Sequence, residues 1–294
     1  MPDINYRRRF GDRRDGRLLR TLSPFYKIMP YLMTKRSDAM NYFSDSVEIS
    51  ALEQWLRENR KEGWKGMGVL HVVLAAYVRT IAGCPGLNRF VSGQKIYARN
   101  NIETVMMVRR SMTTDSDETS IKAVFDPSDT VYDIFRKLGE KVDEVRSSAG
   151  ANGTDRAAEI LFRFPGLVLK FLVWVLNVLD YFGLLPQTLI DVSPFHGSMI
   201  ITDLGSLGIH PIYHHIYDFG NLPVFLALGA KRRVIELDRE GKPVERKYLD
   251  FKVVMDERTV DGLYFANALK HFRYYLKNPA ELEHPPERVL EDVR

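Results

Sequence analysis

The last hundred residues limit what this chain can fold into more than any other part. Four apolar, β-branched segments, Ser198–Asp203, Leu222–Gly229, Arg232–Asp238 and Val244–Met255, read as strands with no long helix between them. Glu240-Gly241 joins the last two as a hairpin. Val260–Lys277 then has helical period and is stopped by Asn278-Pro279. Closing strands in antiparallel order exclude a doubly wound parallel sheet. Gly63, Gly66 and Gly68 are spaced wrongly for a phosphate loop. The fold class is α/β (an α+β sandwich), a mixed sheet flanked by helices.

Upstream, Leu22–Met33 opens with Ser-Pro and predicts a short helix. Ser46–Ser50 alternates as a strand, and Ser50-Ala-Leu-Glu53 predicts a capping box for a helix ending near Gly63. Val69–Ala82 is apolar almost all round, as a buried helix is, and ends at Gly83 and Pro85. Lys95–Arg110 and Ser120–Phe125 predict strands either side of a polar turn, Thr113–Asp117. Pro127-Ser128-Asp129 caps an amphipathic helix to about Val145, and Ser147–Thr154 reads as a surface loop. Residues 155–190 form an apolar helical segment. Three parts are expected: a basic arm (1–20), one domain (21–280) and a loose charged tail (281–294).

At 294 residues, 45% of them apolar and 27% charged, the chain can bury a full core and is neither disordered nor fibrous. Cys84 is the single cysteine, which rules out an internal disulfide and a four-cysteine zinc site and fits a reducing compartment. His196, His210 and His214 have no metal-ligand spacing, so no metal is expected. The net charge of +4 belongs to residues 1–20, with seven arginines and three aspartates; the remainder sums to zero. No apolar signal region follows Met1–Arg20. Phe164–Leu185 is interrupted by Lys170, Asn177 and Asp180, so a spanning helix is not expected. The expected location is cytoplasmic, peripheral at the inner membrane surface.

Motif order now becomes specific. Ser198-Met-Ile-Ile-Thr-Asp-Leu-Gly-Ser-Leu-Gly208 precedes Pro223–Gly229, and Asp256-Glu-Arg-Thr-Val-Asp-Gly262 lies between a strand and a helix. This order resembles the catalytic domain of the dihydrolipoamide acyltransferases, the E2 cores of 2-oxo acid dehydrogenase complexes, and is similar to chloramphenicol acetyltransferase. Asp256, Arg258, Asp261 and Gly262 match the family's Asp-His-Arg-x-x-Asp-Gly. Thr202, Asp203 and Gly205 stand where it has Ser, Asn and Gly. Pro85-Gly-Leu-Asn88 resembles its Pro-x-Leu-Asn turn, and the likeness spans roughly residues 22–280. The chain looks like a short stand-alone bacterial homologue with an Arg-rich arm and a Ser-Pro-Phe-His-Gly-Ser segment (193–198), lacking lipoyl and subunit-binding domains.

The resemblance implies a chloramphenicol-acetyltransferase-like fold and acyl transfer from coenzyme A or another pantetheine thioester. It also implies a homotrimer with its channel between subunits. In the family a histidine takes the acceptor's proton and a Ser or Thr hydroxyl stabilises the oxyanion. Here the histidine position is Glu257. A free Glu titrates about four units below a thiol, roughly 6 kcal/mol against proton transfer. Burial raises a Glu, whereas an Arg258 aimed at it would do the opposite. Little or no acetyl transfer from acetyl-CoA to dihydrolipoamide at pH 7 is therefore expected. Thr202 is the candidate oxyanion donor, and His214 and His215, facing opposite ways on a strand, are alternative bases. Asp261, Arg258 and Gly262 are expected to be structural, with Asp261 holding the turn through an arginine. A catalytically silent relative that binds or scaffolds, a pseudoenzyme, is the alternative.

Two features remain. In 160–185, Arg163, Lys170, Asn177 and Asp180 share one helical stripe, and the apolar rest is wider than a core face needs. It serves as core and subunit interface, as an acyl-chain pocket, or as a membrane-surface contact helped by the Arg-rich arm. The arm alternates Arg with Asp and Gly, unlike a nucleic-acid arm, and is expected to pair with carboxylates of a neighbouring subunit.

Overall fold

The strands of the last hundred residues form the middle of a six-stranded mixed sheet. Its order is β2 (Met40–Glu48), β9 (Pro243–Asp256), β8 (Val224–Leu237), β7 (Met199–Asp203), β5 (Ile102–Arg109) and β6 (Glu118–Phe125). β7 is parallel to both neighbours, and the remaining pairs are antiparallel. A second, antiparallel sheet has the order β1 (Gly16–Leu18), β4 (Lys95–Arg99), β3 (Arg89–Ser92). The computed structural model describes residues 7–109, 118–147 and 162–293. The expected Thr113–Asp117 turn, all but the first residue of the Ser147–Thr154 loop, and residues 155–161 lie outside them.

Alternation along the strands gives the large sheet two faces. Met199, Ile201, Leu226, Phe251, Val253 and Met255 face the helices α2 (Ser50–Lys61), α3 (Val69–Gly83), α4 (Val131–Ser147) and α7 (Gly262–Lys277). Val72–Ala82 is buried throughout, as its unbroken apolar sequence requires. The other face carries Val105, Ile200, Phe225 and Val254, with Ile216 and Leu222 from the long loop before β8 packed on it.

Several local expectations change. Arg232–Asp238 and Leu222–Gly229 are one strand, β8, with an irregular register between Leu228 and Lys231. The segment expected as one strand over Lys95–Arg110 is, in its described part, two strands in different sheets, Lys95–Arg99 and Ile102–Arg109, turned at Asn100-Asn101. The Ser50 capping box does not form: Ser50 is already helical, and Glu53 instead takes Lys231 (2.6 Å) and Lys247 (2.7 Å). Two ammonium groups outcompete one backbone N–H for that carboxylate. The apolar segment holds α5 (Gly166–Tyr181) and a short α6 (Gln187–Val192), separated by a turn and Pro186. The tail is not loose, because Arg89 grips Asp292 in a bidentate pair (2.7 and 2.6 Å) and Arg79 donates to the Glu281 and His284 carbonyls.

The arginine–carboxylate pairing expected of the arm exists, but with partners in the same chain. Arg13 is buried and donates to Asp15 (2.9 Å), Ser92 Oγ (2.8 Å), Asp180 Oδ1 (2.6 Å) and the Asp180 carbonyl. Asn221 donates to Asp15 (2.7 Å) and accepts from Arg99 (2.7 Å), and Arg99 lies 4.3 Å over the Phe90 ring. His196, fully buried, stands 3.4 Å from Asp180 and 2.8 Å from Ser193 Oγ. Burial pushes Asp15 up, but Arg13 and Arg99 outweigh it and hold the carboxyl below its ordinary range.

Arg13→Ala leaves Asp180 buried without its cation and is expected to cost about 3–5 kcal/mol, read as a lower urea midpoint. Burial acts to raise Asp180, but the bond with His196 and the charge of Arg13 win and hold it at about 2, below the ordinary 3.8. Its depressed value contributes stability in full above about pH 4, lost as pH falls towards 2. The stability gap between the wild type and Asp180→Asn should therefore be constant from pH 5 to 7 and shrink below 4.

Candidate functional site

Thr202 lies at the end of β7 on the face away from the helices, in line with Ile200. The chain then turns sharply. Asp203 accepts from Ser206 N (3.3 Å), Ser206 Oγ donates to the Asp203 carbonyl (2.7 Å), and Gly208 takes φ +72°. A Cβ on Gly205 would stand 2.5 Å from the Gly229 carbonyl oxygen, and one on Gly229 would overlap the Pro211 ring, 2.7 Å from Pro211 N. Close approach of this turn and the following loop to β8 explains both glycines.

The loop of residues 209–223 crosses the same face. Ala230 N donates to the Ile209 carbonyl (2.8 Å). Tyr213 meets Tyr42 edge-on at 5.4 Å, with the Lys252 ammonium 4.5 Å from its ring centre. His214 stacks flat on Phe225, centroids 4.3 Å apart and planes 10° apart. Phe225 pairs with Ile200 and Ala227 with Thr202, so His214 lies one side-chain row from Thr202. His214 Nε2 is closed off from solvent and has no hydrogen-bond partner among the described residues. Burial, then the neighbouring His215, pushes the His214 pKa down, which keeps the ring neutral at pH 7. The two histidines were expected on a strand. They lie on an irregular loop, where His215 is exposed and turned to Tyr217 (4.9 Å). An open cleft of about 570 Å³ adjoins, lined by Ser44, Ser46, His210, Asp250 and Lys252.

Glu257 lies at the other end. Its N–H donates to the Ala39 carbonyl (2.9 Å), while its half-buried carboxylate has no hydrogen bond or ion pair among the described residues. Asp256 beside it is fully buried, gripped by Arg258 through Nε (2.8 Å) and Nη2 (2.7 Å), with Arg36 at 3.4 Å. Arg258 also donates to the Met33 carbonyl (2.9 Å), so its charge is committed to Asp256 and not aimed at Glu257. Asp261 caps α7 by accepting from Tyr264 N (2.7 Å). Its second partner is the Tyr26 hydroxyl, not an arginine, and that bond holds its pKa down. Arg89, the arginine nearby, is taken by Asp292. Nothing comes within 4 Å of a Cβ placed on Gly262.

Thr202 and His214 thus share one face of the sheet, a side-chain row apart, and Glu257 lies away from both. Thr202 is level with Lys252 across β8, and Glu257 is five residues further along. At about 3.3 Å per residue and 4.8 Å per strand, the two are on the order of 20 Å apart in one chain. Sequence reading missed Lys252 and Tyr213. Lys252 had a signal, a lone cation between apolar neighbours on a buried strand.

A Listeria monocytogenes protein described as a probable dihydrolipoamide acetyltransferase superimposes with TM-score 0.57 at 14% identity, over 88% of this chain and 94% of that one. The Azotobacter vinelandii dihydrolipoamide acetyltransferase gives 0.55 at 15%, over 90% and 93%. A chloramphenicol acetyltransferase gives 0.53 at 12%, over 89% and 100%. The chain shares the fold of these proteins. No family model matches the sequence, and no curated protein matches it. Within this fold the Gly229 contact seats the loop that carries His214. Gly229→Ala is expected to dislodge the loop, giving new proteolytic cleavage within 209–223 and a melting temperature several degrees lower.

Proposed function

We propose that the protein transfers an acyl group from a coenzyme A or other pantetheine thioester, with Thr202 as the oxyanion donor and His214 as the proton acceptor. One observation carries this reading. On the face that holds Thr202, a neutral imidazole lies one row away with a ring nitrogen that no protein group uses. The acceptor's thiol or hydroxyl would attack the thioester carbonyl and give its proton to His214. The Thr202 hydroxyl would stabilise the tetrahedral oxygen, and the C–S bond would break as His214 returns the proton to the leaving thiolate. The cleft beside Lys252 has the size and polarity that a pantetheine arm needs.

The mechanism named for the Azotobacter enzyme involves a serine, a histidine and an asparagine, the last two four residues apart, as Glu257 and Asp261 are. Glu257 is too far from Thr202 to serve its own chain's site, so its place in the reaction is at the site of a neighbouring copy, in a homotrimer. A projecting ribbon supports such contacts. Beyond Lys231, β8 pairs only with β9, and Ile235 and Leu237 lie in solvent, although a two-stranded ribbon alone is marginal in water. The second reading, a silent scaffold, is favoured by that same separation if the chain does not assemble.

Light scattering should give about 100 kDa, three chains of 33.9 kDa; a stable monomer would remove Glu257 from the scheme. The activity assay is acetyl-CoA consumption with dihydrolipoamide as acceptor. Thr202→Ala should lower turnover about 10²-fold and His214→Ala about 10²–10⁴-fold. The acid limb of the pH profile should have its midpoint below 6.5, the ordinary histidine value, because burial lowers His214. Turnover that survives His214→Ala and vanishes in Glu257→Gln would move the base to Glu257. Absence of turnover in both the wild type and Glu257→His would leave the scaffold.

A further inference from the structure

Helix α5 keeps its apolar side chains in water. Leu167 is 84% exposed and Phe171 and Trp174 are each 59% exposed, with Phe162 and Phe182 exposed at the two ends. Asp180 is the one buried residue of the helix. At 100° per residue, Leu169, Leu172, Leu176 and Leu179 share the half-buried side, while Lys170, Leu167, Trp174 and Phe171 share the outward arc. Arg163 is exposed in the turn before the helix, so the expected stripe with Lys170 is interrupted at Pro165. Neither cation has an ion pair among the described residues, and Asp180, the single acid of the helix, is turned inward to Arg13. Asn177 in the same arc bonds the Val173 carbonyl (2.9 Å) of its own helix. The outward surface is therefore aromatic and aliphatic with uncompensated positive charge.

We infer that α5 lies in the plane of an anionic lipid surface. In that pose Leu167, Phe171 and Trp174 enter the boundary between headgroups and acyl chains, and Arg163 and Lys170 reach the lipid phosphates. Sixteen residues reach about 24 Å, short of the roughly 30 Å hydrocarbon core, and no described helix is long and apolar enough to cross. A second copy of the helix would cover the apolar residues but set Arg163 and Lys170 against like charges. A lipid surface supplies both the apolar cover and the missing anions. The neighbouring elements extend the footprint. Tyr181 donates to Gln94 (2.8 Å), Gln94 shares a cleft with Tyr31 of α1 (Pro24–Leu32), and Phe25 and Ile28 of α1 are exposed. Phe10 is fully exposed on the arm that Arg13 ties to Asp180.

The test uses the full chain and sedimentation with vesicles of phosphatidylglycerol and phosphatidylcholine. Binding is expected at low salt, less at 0.5 M salt, and little with phosphatidylcholine alone. A basic residue near an anionic surface is worth about 1 kcal/mol, so Lys170→Glu should weaken partitioning about five-fold or more. Trp174→Glu should weaken it further. Trp55 is buried and Trp64 stacks on Tyr132, so a blue shift of tryptophan emission on adding vesicles reports Trp174. Trp174→Phe should bind and lose the shift. Three results would overturn the inference: no sedimentation at low salt, unchanged binding in both glutamate variants, or a blue shift that grows with protein concentration in the absence of lipid.

Discussion

Four buried charges, Arg13, Asp15, Arg99 and Asp180, hold together parts of the chain that are far apart in sequence. Arg13 comes from the segment before β1, Arg99 from β4 and Asp180 from the end of α5, and Asn221 ties in the loop before β8. Each group alone would be costly to desolvate. Together they place the small sheet, the apolar helix and the start of β8 in one arrangement. His196, behind Asp180, extends the cluster to the segment that leads into β7, and so to Thr202. The position of the candidate site therefore depends on an ionic cluster that contains none of its proposed reacting groups.

The two faces of the large sheet do different work. One is closed by four helices and is largely apolar. The other is closed by a loop with aromatic and histidine side chains, above which a polar cleft opens. On the second face polar side chains meet without being sealed under helices. The Asp256–Arg258 pair serves a related purpose at the far end of β9. It fixes the backbone around Glu257 while leaving that carboxylate uncommitted.

The sheet class, the buried α3, the β8–β9 hairpin and α7 were legible in local sequence, because periodicity and turn residues report local structure directly. β1 and β3 were not, since Gly16–Leu18 and Arg89–Ser92 are too short to show a period and exist through their pairing with β4. The capping box failed for a similar reason. Glu53 is claimed by Lys231 and Lys247, which are distant in sequence. At the site, the resemblance pointed to Thr202 and to the Glu257 turn, but the partners of Arg258 and Asp261 were invisible. A sequence shows that Arg258 neighbours Glu257; the fold decides that it grips Asp256. His214 could be named as a candidate but not separated from His215 until the loop was seen to lay one ring on Phe225.

The same long reach has a consequence for how the chain acquires its structure. Arg13 waits for Asp180, 167 residues later; Arg36 for the Tyr217 carbonyl, 181 later; and Arg89 for Asp292, 203 later. These are the contacts that close the small sheet, and each encloses a large loop whose entropy must be offset before the contact contributes anything. During synthesis α3 and the β5–β6 hairpin can form as they emerge, while Arg13, Arg36 and Arg89 remain unpaired cations until the C-terminal half arrives. The β2–β9 pairing of the large sheet, Met40 with Asp256, waits for the same C-terminal residues, so neither sheet is complete before the end of the chain is present.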